Sequence, residues 1–123
     1  MPKVVDAIEN SIRAGKKILV FGDYDVDGIS ATAIMLRGFA EIRRHFKSDF
    51  SADFYIPDRF SEGYGITSAA IKTLRKGSKP DLIVTVDCGI SCRDEIDELR
   101  RLGVDVVVSD HHESSGKIPE NVA

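Results

Sequence analysis

The 123-residue sequence has only two cysteines, no excess of basic residues and no long hydrophobic run. Cys88 and Cys92 cannot build a disulfide framework, and two thiols without a second pair make a poor zinc set. They read as ordinary reduced cysteines, as expected of a cytoplasmic protein. A formal net charge of -3 and a pI near 5.6 exclude a global electrostatic attraction for nucleic acid. A phosphate-bearing partner would have to be held by local cations, bound metals or a further segment. The apolar runs are too short to cross a bilayer, and no charged-then-apolar leader opens the chain, so no membrane association is expected. Internal repeats, low-complexity tracts and linkers are also missing, up to the closing segment KIPENVA (117–123), which carries no recognisable element.

What is present is a chain with 42% apolar and 30% charged residues, enough for one compact unit and too little for a second domain. Apolar residues at helical spacing in 4–15, closing on Gly15, predict an amphipathic helix. The runs KILVFG (17–22), SADFYI (51–56), DLIVTV (81–86) and VDVVVS (104–109) read as strands. Between them, 28–46, 68–77 and 91–103 read as helices, the first with a basic end from Arg43 to Lys47. Strands alternating with helices at this spacing predict an α/β fold, a parallel sheet of about four strands sandwiched between helices.

In a parallel sheet all strand C-termini open onto one edge, and ligands bind there, beside the point where the winding reverses. The first strand leads to Asp23, Asp25 and Asp27 in GDYDVDG, the third to Asp87 in TVDCG, and the fourth to Asp110, His111 and His112 in SDHH. Five carboxylates in one cleft would repel one another by several kcal/mol at intermediate dielectric, roughly, unless neutralised, and divalent cations are the economical solution. Carboxylate oxygen with imidazole nitrogen favours manganese, with magnesium, zinc or iron possible. A carboxylate placed as Asp87 is could project between two ions about 4 Å apart. The chemistry that uses such a centre is hydrolysis of a phosphate ester or anhydride.

Each residue also has a plainer reading. A single Asp after a strand is commonly a turn residue or helix cap, and Asp27 could cap the helix from Gly28. Three acids at alternate positions between Gly22 and Gly28 are harder to explain that way. His45, in the basic helix end, reads as a surface residue, whereas His111 and His112 directly follow an apolar strand. A ligating histidine needs an acceptor for its other ring nitrogen, and Asp110 is a nearby candidate. In RFSEGYG (59–65), Arg59 could grip a phosphate, while Gly63 and Gly65 permit a tight turn or a close backbone approach.

Taken together, GDYDVDG, TVDCG and SDHH resemble the first three motifs of the DHH phosphoesterase superfamily, most closely its RecJ-like branch, over about residues 17–113. RFSEGYG resembles the loop that follows the second strand in that branch. The resemblance implies that Asp25 ligates one manganese, Asp27 the other, that Asp87 bridges them, that His111 is a ligand and that His112 contacts the scissile phosphate. Asp23 becomes a ligand or a close neighbour of one. It further implies 5'-to-3' degradation of single-stranded DNA in recombination and repair.

Members of the family also carry a fourth motif with another metal-binding Asp, then a DHHA1-type domain that closes over the cleft. Residues 114–123 match neither, so the expectation is that 1–123 form the N-terminal part of a DHH domain, with weak or no activity alone and full substrate binding dependent on the further domain. A rival enzyme reading is a small-substrate phosphoesterase acting on oligonucleotides or cyclic-dinucleotide products. The pyrophosphatase branch carries a His ahead of the Asp pair, where this chain has Phe21. A non-catalytic scaffold in replication or repair would retain an acid cluster as a pure stability cost. A phosphorelay receiver would need a Lys after a later strand, and VDVVVS is followed directly by Asp110 and two histidines instead.

Overall fold

A computed structural model describes residues 2–120 and 122, and in it the four apolar runs are strands of one parallel sheet. The elements run α1 (Pro2–Arg13), β1 (Lys17–Phe21), α2 (Val26–Phe46), β2 (Ser51–Tyr55), α3 (Ser68–Lys76), β3 (Leu82–Val86), α4 (Arg93–Arg101) and β4 (Asp105–Ser109). The strand order is β2-β1-β3-β4. The chain therefore steps from β1 outward to β2, then returns past β1 to β3, so the winding reverses between β1 and β3. Register places Phe21 opposite both Tyr55 and Thr85, and Val86 opposite Ser109. The four strands thus end level, and their following loops share one rim.

The two-residue period of a strand separates the interior into two cores. Ile18 and Val20 of β1, Leu82, Val84 and Val86 of β3, and Val107 of β4 pack with residues of α1 and α2, including Val4, Phe39, Met35 and Leu36. The alternate residues, among them Phe21, Ile83, Val106 and Val108, pack with Ile71 of α3 and Ile96 and Leu99 of α4. Burying each such side chain contributes about 1.5–3 kcal/mol, so both faces of β3 are tied to the sheet's global stability. Every residue of β3 is buried. The apolar run of 51–56 does form a strand, but at the sheet's edge: β2 has exposed and half-buried residues and none that is buried, and Phe54 is 53% exposed.

Helix termini follow local chemistry. Gly15 and Gly103 take positive φ after α1 and α4, and Lys47 closes α2 in the same left-handed conformation. Thr67 caps α3 by accepting from Ala70 N. At the start of α2 the cap is Asp25, whose Oδ1 accepts from Gly28 N at 2.9 Å, and Asp27 lies within the first turn. The plain expectation that Asp27 caps a helix beginning at Gly28 is thereby corrected: the helix starts two residues earlier, because Asp25 has the extended backbone that a cap requires. The described residues of the closing segment, 117–120 and 122, also do more than expected, since Val122 bridges Val108 in parallel and Arg93 and Arg100 donate to the carbonyls of Ile118 and Glu120.

Candidate metal centre

Three strand ends build the site. After β1 the chain turns through Gly22 and Asp23 into α2, and the turn is tight enough that a β-carbon on Gly28 would lie 2.6 Å from Asp23 Cβ and 2.7 Å from its Cα and N. Only glycine lets the first turn of α2 sit against Asp23. That carboxylate is buried and accepts from Tyr24 N at 2.7 Å. Its pKa is raised, first by burial and then by the nearby charges of Asp25 and Asp87, against the lowering effect of the Tyr24 amide.

After β3, Asp87 adopts φ 62, a left-handed backbone that costs a non-glycine residue of order 1–3 kcal/mol. Its amide donates to Ser109 O at 2.9 Å, which fixes this strained residue to the end of β4. The side chain is 7% exposed; Oδ1 lies 3.0 Å from His111 Nε2, and Oδ2 is buried with no partner among the described residues. A buried carboxylate oxygen without a donor costs free energy unless something electropositive meets it.

After β4, Asp110 accepts from Ile90 N at 3.0 Å, from His112 N at 3.1 Å and from His112 Nδ1 at 2.7 Å. Burial pushes the Asp110 carboxyl up, but these donors outweigh it and hold the group below its ordinary range. The same hydrogen bond raises the pKa of His112 against the smaller effect of desolvation. With Nδ1–H turned toward Asp110, His112 leaves Nε2 as its outward atom. The His111 ring, 74% exposed, stands beside that of His112 with centroids 4.6 Å apart.

Two groups of potential ligands result, one of Asp23, Asp25 and Asp87 and the other of Asp87, His111 and His112, each with its donor atoms within 4.8 Å of one another. Asp87 is common to both. Asp27 falls in neither group but lines the adjoining cleft of about 480 Å³ with Asp87, Asp110 and His111. Arg59 is not brought among the acids; its guanidinium lies 5.4 Å from the centre of the Tyr24 ring. A larger groove of about 780 Å³ between α1 and the end of α2 is mainly apolar, and its Glu9 and Arg13 satisfy each other. The convergent polar chemistry is therefore at the strand ends. The donor set of carboxylate oxygens and imidazole nitrogens, with an orphaned buried oxygen at its centre, fits a hard or borderline divalent cation.

Residues that the motifs did not single out complete the surroundings. Tyr64 Oη donates to the Asp87 carbonyl at 3.3 Å and lies 3.4 Å from His112 Nδ1, while its ring meets Tyr24 and His112 edge-on. Burial, with the neighbouring acids, pushes the Tyr64 hydroxyl up and keeps it protonated as a donor. Glu62 secures the same loop, accepting from Tyr55 Oη at 2.5 Å, Thr73 Oγ1 at 2.9 Å and Asp58 N at 2.9 Å. The available signal was position: both residues lie inside RFSEGYG, but their partners are 4 to 48 residues away.

The model of the DHH family, N-terminal domain, matches residues 17–123. Single-stranded-DNA-specific exonuclease RecJ of Bacillus subtilis is 38% identical over 120 residues, covering 98% of this chain and 14% of the relative. The protein of the same name from Thermus thermophilus is 43% identical over 114 residues, covering 91% of this chain and 16% of the relative. Among solved structures, an exonuclease RecJ bound to manganese superposes with a TM-score of 0.82 at 38% identity, covering 98% of this chain and 29% of that one. RecJ in complex with Mn2+ from Thermus thermophilus gives 0.72 at 35% identity, covering 98% and 16%. The chain thus spans about one-seventh of the length of these curated relatives.

Proposed function

The chain belongs to the DHH family, and from that membership and its site we propose that it serves metal-dependent phosphodiester hydrolysis, as part of an exonuclease that degrades single-stranded DNA from the 5' end. The observation that carries the proposal is Asp87, one buried carboxylate shared by two ligand groups and left with an unpartnered oxygen. Residues 1–123 are assigned as the N-terminal part of a DHH domain, with full substrate binding given by these residues together with a DHHA1-type domain.

In this reading Asp25, Asp27, Asp87 and His111 would hold two Mn2+ ions, with Asp87 shared between them, Asp23 would be a ligand or a close neighbour of one, and Mg2+ could substitute. When bound, the ions supply Lewis acidity and an activated water nucleophile. The chain's own groups do the positioning. The strained backbone of Asp87 and its bond to Ser109 set the shared carboxylate before any ligand arrives. Asp110 fixes the His112 ring so that Nε2 faces the scissile phosphate, and Tyr64 braces both the Asp87 and His112 loops. Arg59, in reach of a strand lying along Tyr24, contacts a substrate phosphate.

The test is a manganese titration by calorimetry on the chain and on Asp87→Asn. The expected result is binding by the wild type that falls at least tenfold, roughly, in the variant, followed by hydrolysis of 5'-phosphorylated single-stranded DNA that depends on Asp87 in a protein carrying the DHHA1-type domain. Unchanged manganese affinity in Asp87→Asn would sink the assignment of the shared ligand.

A further inference from the structure

Phe60 is 96% exposed and belongs to neither core, so the fold gains nothing from its ring. The backbone beneath it is nevertheless firmly held. Asp58 Oδ1 accepts from Phe60 N at 3.0 Å, Ser61 N at 2.8 Å and Ser61 Oγ at 2.9 Å, and Asp58 N donates to Glu62. A rigid turn therefore presents a large apolar ring to water. Its neighbour Arg59 rests on Tyr24, Tyr24 meets Tyr64, and Tyr64 meets His112. A series of contacts, Arg59 over the Tyr24 ring and then edge-on between the rings of Tyr24, Tyr64 and His112, thus leads from this turn to the acid cluster.

The net charge of -3 gives this chain no general hold on a polyanion, so affinity for a strand has to come from elsewhere. Base–aromatic stacking is available to any base with a free face, and a guanidinium alongside suits the adjoining phosphate. We propose that Phe60 is a stacking platform for an unpaired nucleobase of a strand whose phosphate lies at the acid cluster. The inference rests on the phosphodiester reading above and adds to it a reason for single-strand preference. In a duplex the faces of a base are already covered by its neighbours, whereas an unpaired base is free to leave the stack.

The chain contains no tryptophan, so Phe60→Trp introduces a sole reporter at the proposed contact. The probes are a 5'-phosphorylated, phosphorothioate-linked oligothymidylate and the same backbone with abasic sites, each titrated in Mn2+. Saturable quenching by the first and none by the second is expected. Phe60→Ala should weaken the base-bearing probe about tenfold and the abasic one less than about twofold, with Phe60→Trp restoring affinity. Equal weakening of both probes, or of neither, overturns the inference while leaving the phosphodiester reading standing. So does self-association of the wild type that Phe60→Ala abolishes, which would assign the ring to a second copy. If the folded wild type binds neither probe, the inference falls, and manganese calorimetry on the same sample shows whether the metal reading falls with it.

Discussion

The two ends of the sheet handle the same residue type in opposite ways. At the N-terminal end Asp81 Oδ2 accepts from Lys17 N at 2.8 Å, Asp105 N donates to the Asp81 carbonyl, and Lys16 Nζ lies 3.6 Å from Asp105. Lysines and amides there match each aspartate. At the C-terminal end Asp23, Asp25 and Asp87 crowd together, no lysine or arginine is paired with them among the described residues, and one buried oxygen has no donor. The same strands anchor both rims, so the difference is not one of flexibility. One rim meets its aspartates with donors of the chain itself, and the other leaves a buried carboxylate oxygen without one among the described residues.

The largest effect that sharpens this contrast comes from two glycines of α2. Gly28→Ala drives a β-carbon into the Asp23 backbone and should cost more than about 2 kcal/mol in urea unfolding, while Gly38→Ala, with open space around it, should stabilise by about 0.5–1 kcal/mol. Equal changes would mean that the first turn of α2 is not pressed against the acid rim.

Next is a reciprocal pair. Asp81→Asn should lose about 1 kcal/mol with or without metal, since a hydrogen bond to Lys17 N is weakened. Asp87→Asn should melt no lower than wild type in chelator, because repulsion is relieved, yet forgo the stabilisation of about 2.7 kcal/mol that wild type gains at a hundredfold excess of Mn2+ over Kd. Thermal melts with and without Mn2+ read both; a metal-dependent Asp81→Asn deficit would break the comparison.

The smallest effect concerns acid. Glu62 has its pKa lowered, first by the Tyr55 hydroxyl. A group whose folded pKa lies below its unfolded value stabilises fully above the unfolded value near 4.5 and loses that contribution as pH falls through the folded one. Below pH 4.5 the loop of 58–65 should therefore loosen, by a few tenths of a kcal/mol after solvent screening, roughly. Ring NMR signals of Tyr55 and Tyr64 should move with pH in the wild type and stay level in Glu62→Gln.

The fold was legible because each strand is a short apolar run and each helix carries its own stop signal, Gly15 and Gly103 among them. The acids were legible because strand ends in a parallel sheet share one rim. Asp25 and Asp27 were not distinguishable as cap and first-turn residue, since which one caps depends on a backbone angle rather than on composition. Tyr64 and Glu62 were hidden for a different reason. Their partners are brought to them by the path of a loop, and nothing in the local pattern encodes that path.

Asp87 has its carboxylate held by a left-handed backbone and by an amide bonded to Ser109, so the conformational entropy of ordering it is spent when the sheet forms. A ligand arriving at this residue meets a preorganised group and has little ordering cost left to offset. The amide of Asp87 should consequently exchange with solvent on the same slow timescale as the centre of β3, opening only with the whole domain, while that of His111, in the exposed loop beyond β4, exchanges sooner.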